Sequence, residues 1–429
     1  MQRSLIKNLK ENEISEIRGM ISKVRDTKYM VFIMIKDASS FIQVSIDKNE
    51  QKELVEEALK ITTGSIVAFN GVMKYSEYVK NGGKEFIPSK IEIISLADNI
   101  PLEENANPDT KLDYRWLDLR TDKNEYTFRI QSAFVKYLRE YLYQEDFTEI
   151  HTPKLLGTAS ESGSEVFEVK YFDRLAYLAQ SPQFYKQMAI ASGLERVFEV
   201  APAFRAENSN TNRHCTEFTS FDIEFAYIDS FKDVMHLEQE MLKYALKKIK
   251  EEYGEIIKER YGIEVVVPDG DFPIIKLDDL LQELNKRYGY VIPEDAIGDM
   301  NAEAEKLAYK YSMEVYNSEF IFVTDFNKEK RAFYHMRENE VPQGYDLLWR
   351  GMEITTGAQR EHRYEELSKQ AKEKGLDKDV EFYLQFFKYG CPPHGGFAIG
   401  VDRMTLLLLG LDHIREAQFL FRGPNRLNP

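Results

Sequence analysis

The chain has 429 residues, enough for two or three domains, and its 43% hydrophobic content supplies a sizeable core. A formal net charge of −15 argues against a general nucleic-acid binder, and no apolar run is long enough to span a bilayer. Two distant cysteines, Cys215 and Cys391, and scattered histidines give neither a disulfide framework nor a metal spacing, so a reducing cytoplasm is the expected compartment.

The first hundred residues read as short strands at Glu16–Val24, Met30–Lys36, Phe41–Ile46, Ser65–Lys74 and Lys84–Ser95, with a helix at Glu50–Leu59 and a turn signal at Asn81-Gly82-Gly83. Five strands with a helix before the fourth match an OB-fold, a small barrel often used for single-stranded nucleic acid. This part carries 15 Lys and Arg against 14 Asp and Glu, whereas the remainder carries 42 against 58. It is therefore the less repulsive face for a polyanion. Residues 98–122 form a polar, proline-containing linker.

Beyond the linker, Ile130, Phe134, Tyr137 and Tyr141 repeat at helical spacing, and Phe147-Thr148-Glu149-Ile150 leads to Pro153. Residues 201–224, APAFRAENSNTNRHCTEFTSFDIE, read as a strand, a polar loop and a returning strand. Arg205, Arg213 and His214 lie on its first strand and loop, and Phe218 at the return. Cations suit phosphates and a ring face suits a base, so this hairpin can hold a nucleotide. Residues 230–253 and 278–288 read as helices, and Phe320–Asp325, Ala332–Met336 and Tyr345–Thr355 as strands. In the last run, strand alternation puts Glu353 and Thr355 on one face, with a bend at Gly357 turning Thr356 inward. Residues 391–410, CPPHGGFAIGVDRMTLLLLG, place glycines before Arg403 and an apolar helix. Strands and helices without a regular alternation or a Walker motif predict a mixed or antiparallel sheet, hence an α+β class.

These stretches resemble the class II aminoacyl-tRNA synthetases. FRAE…RH…EF is similar to their motif 2, GFAIGVDRM to motif 3, and the helix, strand and Pro153 to motif 1. QSPQFYKQ (180–187), SESGSEVFEV (160–169) and GMEITTGAQREH (351–362) resemble the aspartyl-tRNA synthetases of archaeal and eukaryotic type. The resemblance covers nearly the whole chain. It implies an OB-fold anticodon-binding domain (1–97), a hinge (98–122) and a class II catalytic domain (123–429) with an antiparallel sheet flanked by helices. It also implies a homodimer without a membrane anchor. L-aspartate, ATP, Mg2+ and tRNA(Asp) are the implied substrates and partners, and some members also charge tRNA(Asn).

The resemblance further assigns roles. Arg205 and Arg403 are the catalytic candidates, Arg205 meeting both the α-phosphate and the attacking carboxylate. Arg213 and His214 suit the pyrophosphate end, and Phe218 stacks on adenine, with Arg403 on the other face or on the γ-phosphate. Ala206, Glu207, Cys215, Glu353, Gly400, Val401 and Asp402 complete the ATP set. Glu353 and Thr356, with Asp346, form the magnesium candidate, since a carboxylate and a hydroxyl suit a hard cation beside phosphates. Lys186 and Arg360 grip the side-chain carboxylate of aspartate, and Glu161 meets its ammonium. Gln183, Asp222, Arg205 and Thr356 add contacts to the amino acid. Phe32, Gln43 and Glu85 fall where eukaryotic members read the anticodon.

The asparaginyl enzymes share this architecture, but a cation at Lys186 suits a carboxylate and is not needed for an amide. A catalytically silent tRNA-binding paralogue is the alternative from another class, and the intact Arg205, Glu353 and Arg403 argue against it. The chain departs from the family at its end, FLFRGPNRLNP, where Phe421 stands for a proline and Gly423 for an acidic residue. It also carries Ala332 where a proline is usual. Neither departure touches the catalytic set, and both are expected to alter local loops or the dimer.

Overall fold

The computed structural model describes residues 2–79, 83–103, 105–158, 165–209 and 211–429. It divides into two compact units, Met1–Leu117 and Asp118–Pro429. Asn81, Gly82 and Glu161 lie outside the described residues.

In the first unit β1 (Ile14–Asp26), β2 (Met30–Lys36), β3 (Phe41–Asp47), β4 (Ile66–Tyr75) and β5 (Lys84–Ser95) close a barrel in the order β1-β2-β3-β5-β4, with α1 (Lys52–Ala58) between β3 and β4. Alternation builds it: Val31, Ile33 and Ile35 of β2 point into the core with Val44, Ile46, Val67, Phe69 and Phe86. Phe32, of opposite parity, faces out. The closed OB-type barrel with its helix before the fourth strand matches the expectation. The stretch expected as a polar linker carries two short helices, α2 (Pro108–Asp113) and α3 (Arg115–Asp118).

The second unit opens with α4 (Asp122–Gln144), β6 (Thr148–Glu149), β7 (Leu155–Leu156), β8 (Glu168–Tyr171), β9 (Arg174–Leu178), α5 (Gln183–Ala191), β10 (Arg196–Phe204) and β11 (Glu217–Ala226). It continues through α6 (Phe231–Tyr261), β12 (Ile274–Lys276), α7 (Leu277–Tyr288), α8 (Ala302–Tyr316), β13 (Phe320–Thr324), β14 (Arg337–Glu338) and β15 (Val341–Pro342). The last elements are β16 (Gly344–Trp349), β17 (Met352–Arg360), α9 (Tyr364–Glu373), α10 (Glu381–Leu384), β18 (His394–Gly400), α11 (Val401–Leu409) and α12 (Ile414–Ala417). The main sheet runs β12-β13-β16-β17-β18-β11-β10-β6. Its six central strands are antiparallel, as expected, but both edge pairs, β12 with β13 and β6 with β10, are parallel. The sheet is therefore mixed.

Two strand expectations need correction. Ala332–Met336 is a turn, joined to the sheet only by a single bridge from His335 to Arg360. Phe333, Tyr334 and His335 are all buried, so the run lacks the alternation a strand needs. Tyr345–Thr355 is not one strand but the β16–β17 hairpin, reversed at Arg350 (φ 49°) and Gly351 (φ 80°). Two successive left-handed residues make the tight turn that suits strand twist, but Arg-Gly is not its usual signal.

Candidate active site

The β10–β11 hairpin places Phe218 opposite Ala203. The Arg205 guanidinium, just beyond β10, lies 5.3 Å from the centre of the Phe218 ring. Among the described residues Arg205 is ion-paired with nothing closer than Glu207 at 4.0 Å. Arg205, Arg213, His214, Phe218, Glu353 and Arg403 surround a cavity of about 210 Å³. Glu207, Cys215, Thr356, Gly400 and Asp402 also border it. The structure thus brings together residues that lie up to 198 positions apart, from Arg205 to Arg403.

Two of the expected nucleotide residues do not border this cavity. Ala206 donates its N–H to the Glu165 carbonyl at 2.8 Å, and Val401 lines a groove beside α4 instead. Asp402 borders the cavity, but its carboxylate is taken by Gln131, Gln418 and the Thr219 N–H. Burial pushes that carboxyl up to about 6. Burial likewise raises the Cys215 thiol to about 12, which leaves it an inert neutral lining group. Desolvation and the nearby Arg403 lower the His214 imidazole below its ordinary value.

Glu353 and Thr356 meet Asp346 on one face of the hairpin. They do so by a bulge, not by a bend at Gly357: Leu347 pairs with Thr355 while Leu348 pairs with Glu353, leaving Ile354 as the extra residue. Thr355 therefore lies on the opposite face from Glu353, contrary to the alternation expected. The Thr356 hydroxyl is 2.9 Å from Asp346 Oδ1 and 3.2 Å from Glu353 Oε1. Arg403 donates to the Glu353 carbonyl at 3.0 Å. Desolvation raises the Glu353 carboxyl, but Arg403, then Arg331 and Arg205, hold it below its ordinary value. It stays charged and suits a hard cation shared with phosphate oxygens. Asp346 as a metal ligand does not fit this geometry, because both its oxygens accept from Arg331, at 2.8 and 2.7 Å. No group of three His, Cys, Asp or Glu able to hold a metal occurs among the described residues.

Below the cavity lies a buried four-charge set. Ser220 borders the cavity and donates its hydroxyl to Asp222. Lys186, on α5, stands 3.2 Å from Asp222 and 3.3 Å from Glu224, and also donates to the Ile223 carbonyl at 3.4 Å. Two of its donors are therefore engaged, and Glu224 Oε2 is held by charge without a hydrogen bond. Arg360 spends Nε on Glu224 at 3.1 Å and one Nη2 bond on the Gly396 carbonyl at 2.9 Å. Its Nη1 has no hydrogen bond among the described residues. A Cβ at Gly396 would lie 2.5 Å from Glu224 Oε2, so only glycine admits this carboxylate beside β18. Burial raises the Glu224 carboxyl, yet Arg360 and Lys186 hold it below its ordinary value. Gln183 sits one turn from Gln187 and donates to it at 2.8 Å, and Gln187 in turn meets the buried His394 at 2.9 Å.

In the first unit, Phe32, Gln43 and Glu85 share an outer pocket of about 460 Å³ with Lys23, Arg25 and Tyr78. Gln43 and Glu85 are direct partners in the parallel pairing of β3 and β5. A ring, an amide, a carboxylate and two cations on one barrel face can stack a base, read its edges and meet its phosphates.

Several residues of the site were missed. Glu224 follows Asp222 by two on one strand, so alternation alone could have placed it beside the same pocket. Arg331 and Glu305 reach the site from loops and helices whose sequence carries no marker. At the C-terminus, Phe421 is buried under the Arg415 guanidinium, 4.9 Å from the ring centre. The Arg422 carbonyl accepts from the Thr216 N–H, tying this atypical segment to the hairpin loop.

Residues 107–422 match the family model of class II tRNA synthetases (D, K and N), and residues 16–94 that of the OB-fold nucleic acid binding domain. The chain is 39% identical over 422 residues to the aspartate–tRNA(Asp/Asn) ligase of Aeropyrum pernix, covering 96% of this chain and 94% of that protein. It is also 39% identical over 436 residues to the aspartate–tRNA(Asp) ligase of Pyrococcus horikoshii, covering 97% and 98%. Among solved structures, asparaginyl-tRNA synthetase from Pyrococcus horikoshii with asparaginyl-adenylate superposes with a TM-score of 0.93 at 31% identity, covering both chains fully. Aspartyl-tRNA synthetase from Entamoeba histolytica gives 0.89 at 31%, covering 100% of this chain and 93% of that one.

Proposed function

The chain belongs to the class II tRNA synthetases for D, K and N, and from that membership we propose that it is an aspartate–tRNA ligase. The α-carboxylate of L-aspartate attacks the α-phosphorus of ATP, and pyrophosphate leaves. The terminal ribose hydroxyl of the tRNA then attacks the aspartyl carbonyl, and AMP leaves. The observation that carries aspartate over asparagine is Arg360, buried with Nη1 unengaged beside Lys186. A fixed guanidinium with spare donors suits a second carboxylate, whereas an amide offers it one acceptor oxygen and no charge.

In this reading Arg205 bridges the α-phosphate and the attacking carboxylate, and Phe218 stacks on adenine. Arg213, His214 and Arg403 neutralise the polyphosphate. Glu353 and Thr356 are the residues that hold Mg2+, which when bound supplies further positive charge there. Glu161 is kept as the ammonium contact, and Gln183 and Asp222 as further contacts to the amino acid. Residues 1–97 bind the anticodon through Phe32, Gln43 and Glu85; residues 98–122 are the hinge and 123–429 the catalytic domain. Among the described residues no helix is long and apolar enough to cross a membrane. The two free cysteines fit a cytoplasmic enzyme.

One assay pair tests the reading. Aspartate-dependent exchange of pyrophosphate into ATP is expected without tRNA, and its absence in folded protein favours the silent paralogue. Charging of purified tRNA(Asp) and tRNA(Asn) reads the second step, because relatives carry both names. In the same pair, Phe32→Ala removes a stacking contribution of roughly 1–3 kcal/mol. It should raise the KM for tRNA and leave exchange unchanged; equal losses in both assays would show that the barrel does something else.

The proposed homodimer uses α4. Ile130, Phe134 and Leu138 face the core, while Ser132, Val135, Arg139 and Tyr143 line an open groove of about 760 Å³. Sedimentation at micromolar concentration should give twice the chain mass. An active monomer would remove the dimer from the account.

A further inference from the structure

Helix α8 brings into the cavity a carboxylate that no motif marks. Asn301 caps the helix, its side chain accepting from the Glu303 and Ala304 N–H groups at 3.1 and 2.9 Å. Glu305 follows in the first turn and is 4% exposed. Its Oε2 accepts twice, from Arg213 Nη1 at 2.6 Å and from the Glu353 N–H at 3.0 Å. One oxygen thus ties the hairpin loop to the start of β17. The spacing is fixed from below: a Cβ at Gly351 would lie 3.1 Å from the Lys306 Cα, so the β16–β17 turn rests directly on α8.

We infer that Glu305 is a positioning residue that holds Arg213 in the cavity, preset for the pyrophosphate end of ATP. The inference rests on the nucleotide reading given above. Three observations support it. The polar loop between β10 and β11 spans twelve residues, 205–216, and a cation on such a loop otherwise samples many places. The Glu305 bond occupies only Nη1; Nε and Nη2 of Arg213 have no hydrogen bond among the described residues, so a fork remains for phosphate oxygens. The ion pair also cancels the negative charge that Glu305 would otherwise present to a polyphosphate.

The test is pyrophosphate exchange with Arg213→Ala, Glu305→Gln and the double variant, read as KM and kcat separately. Gln is isosteric and keeps an oxygen for the Glu353 N–H. Each single change is expected to raise the KM for ATP roughly tenfold, and the double variant to be no worse than Arg213→Ala alone. The KM for aspartate should stay within about twofold of wild type. Multiplying effects, a lowered KM for ATP in Glu305→Gln, or a fall in kcat alone would each overturn the inference. Hydrogen exchange at the Arg213 and His214 amides gives an arm that does not depend on the Glu305 variant folding. Arg213→Ala should loosen them, and unchanged protection would overturn the idea. If the wild type shows no aspartate-dependent exchange, the function reading fails; wild-type exchange with Glu305→Gln unchanged sinks this inference alone.

Discussion

Arg360→Leu is expected to collapse the preference for aspartate over asparagine. A site built around matched polar groups can reject a mismatched substrate by roughly 10⁴–10⁵. Losing one buried cation should cost aspartate on the order of 2–5 kcal/mol and asparagine less. The ratio of kcat/KM for the two amino acids, by pyrophosphate exchange, measures this, with the KM for ATP nearly unchanged. The substitution also leaves Glu224 buried with Lys186 as its remaining cation, so a stability loss is expected alongside. Arg360→Leu combined with Glu224→Gln removes that orphaned charge and separates folding from selection. If the folded double variant still prefers aspartate as strongly as the wild type, selection lies elsewhere. A wild type that prefers asparagine replaces the present reading with the asparaginyl one.

Arg205→Ala should lower the exchange rate by roughly a hundredfold or more, the usual effect of removing one positioned donor from a reacting centre. The structure gives two reasons to expect the loss in kcat rather than in folding. Arg205 is 43% exposed, with no ion pair among the described residues closer than 4.0 Å, so few native contacts depend on it. Its guanidinium rests on the Phe218 ring, a contact worth about 0.5–1 kcal/mol at an exposed site. An unchanged thermal midpoint with exchange down a hundredfold fits this role. Exchange at the wild-type rate would remove Arg205 from the chemistry.

The parts of the fold legible in the sequence were those governed by local rules. The run Met30–Lys36 reads as a strand, and helical spacing from Ile130 onward gives α4. The residues around the nucleotide cavity were legible because hairpin loop, ring and Gly-Arg helix start form ordered motifs. What failed was set by neighbours. Phe333-Tyr334-His335 reads as a strand, yet Phe333 and Tyr334 both pack into the cluster of α9 and α10. Asp346 reads as a magnesium candidate beside Glu353, yet Arg331, fifteen residues earlier, donates to both its oxygens. Glu305 is not singled out by the sequence at all, and its bonds to Arg213 and the Glu353 N–H are what make it part of the site.

The bulge at Ile354 also governs which changes of length this protein can survive. Inserting one residue between Glu353 and Thr356 with the bulge kept would send the two side chains to opposite faces of the sheet. A connection such as residues 374–380, between α9 and α10, can take an inserted residue at small entropic expense. The hairpin cannot, because its count of residues is itself what sets a carboxylate and a hydroxyl side by side. Insertions in descendants of this chain should therefore accumulate in the connections and spare 353–356, even where the side chains between them drift.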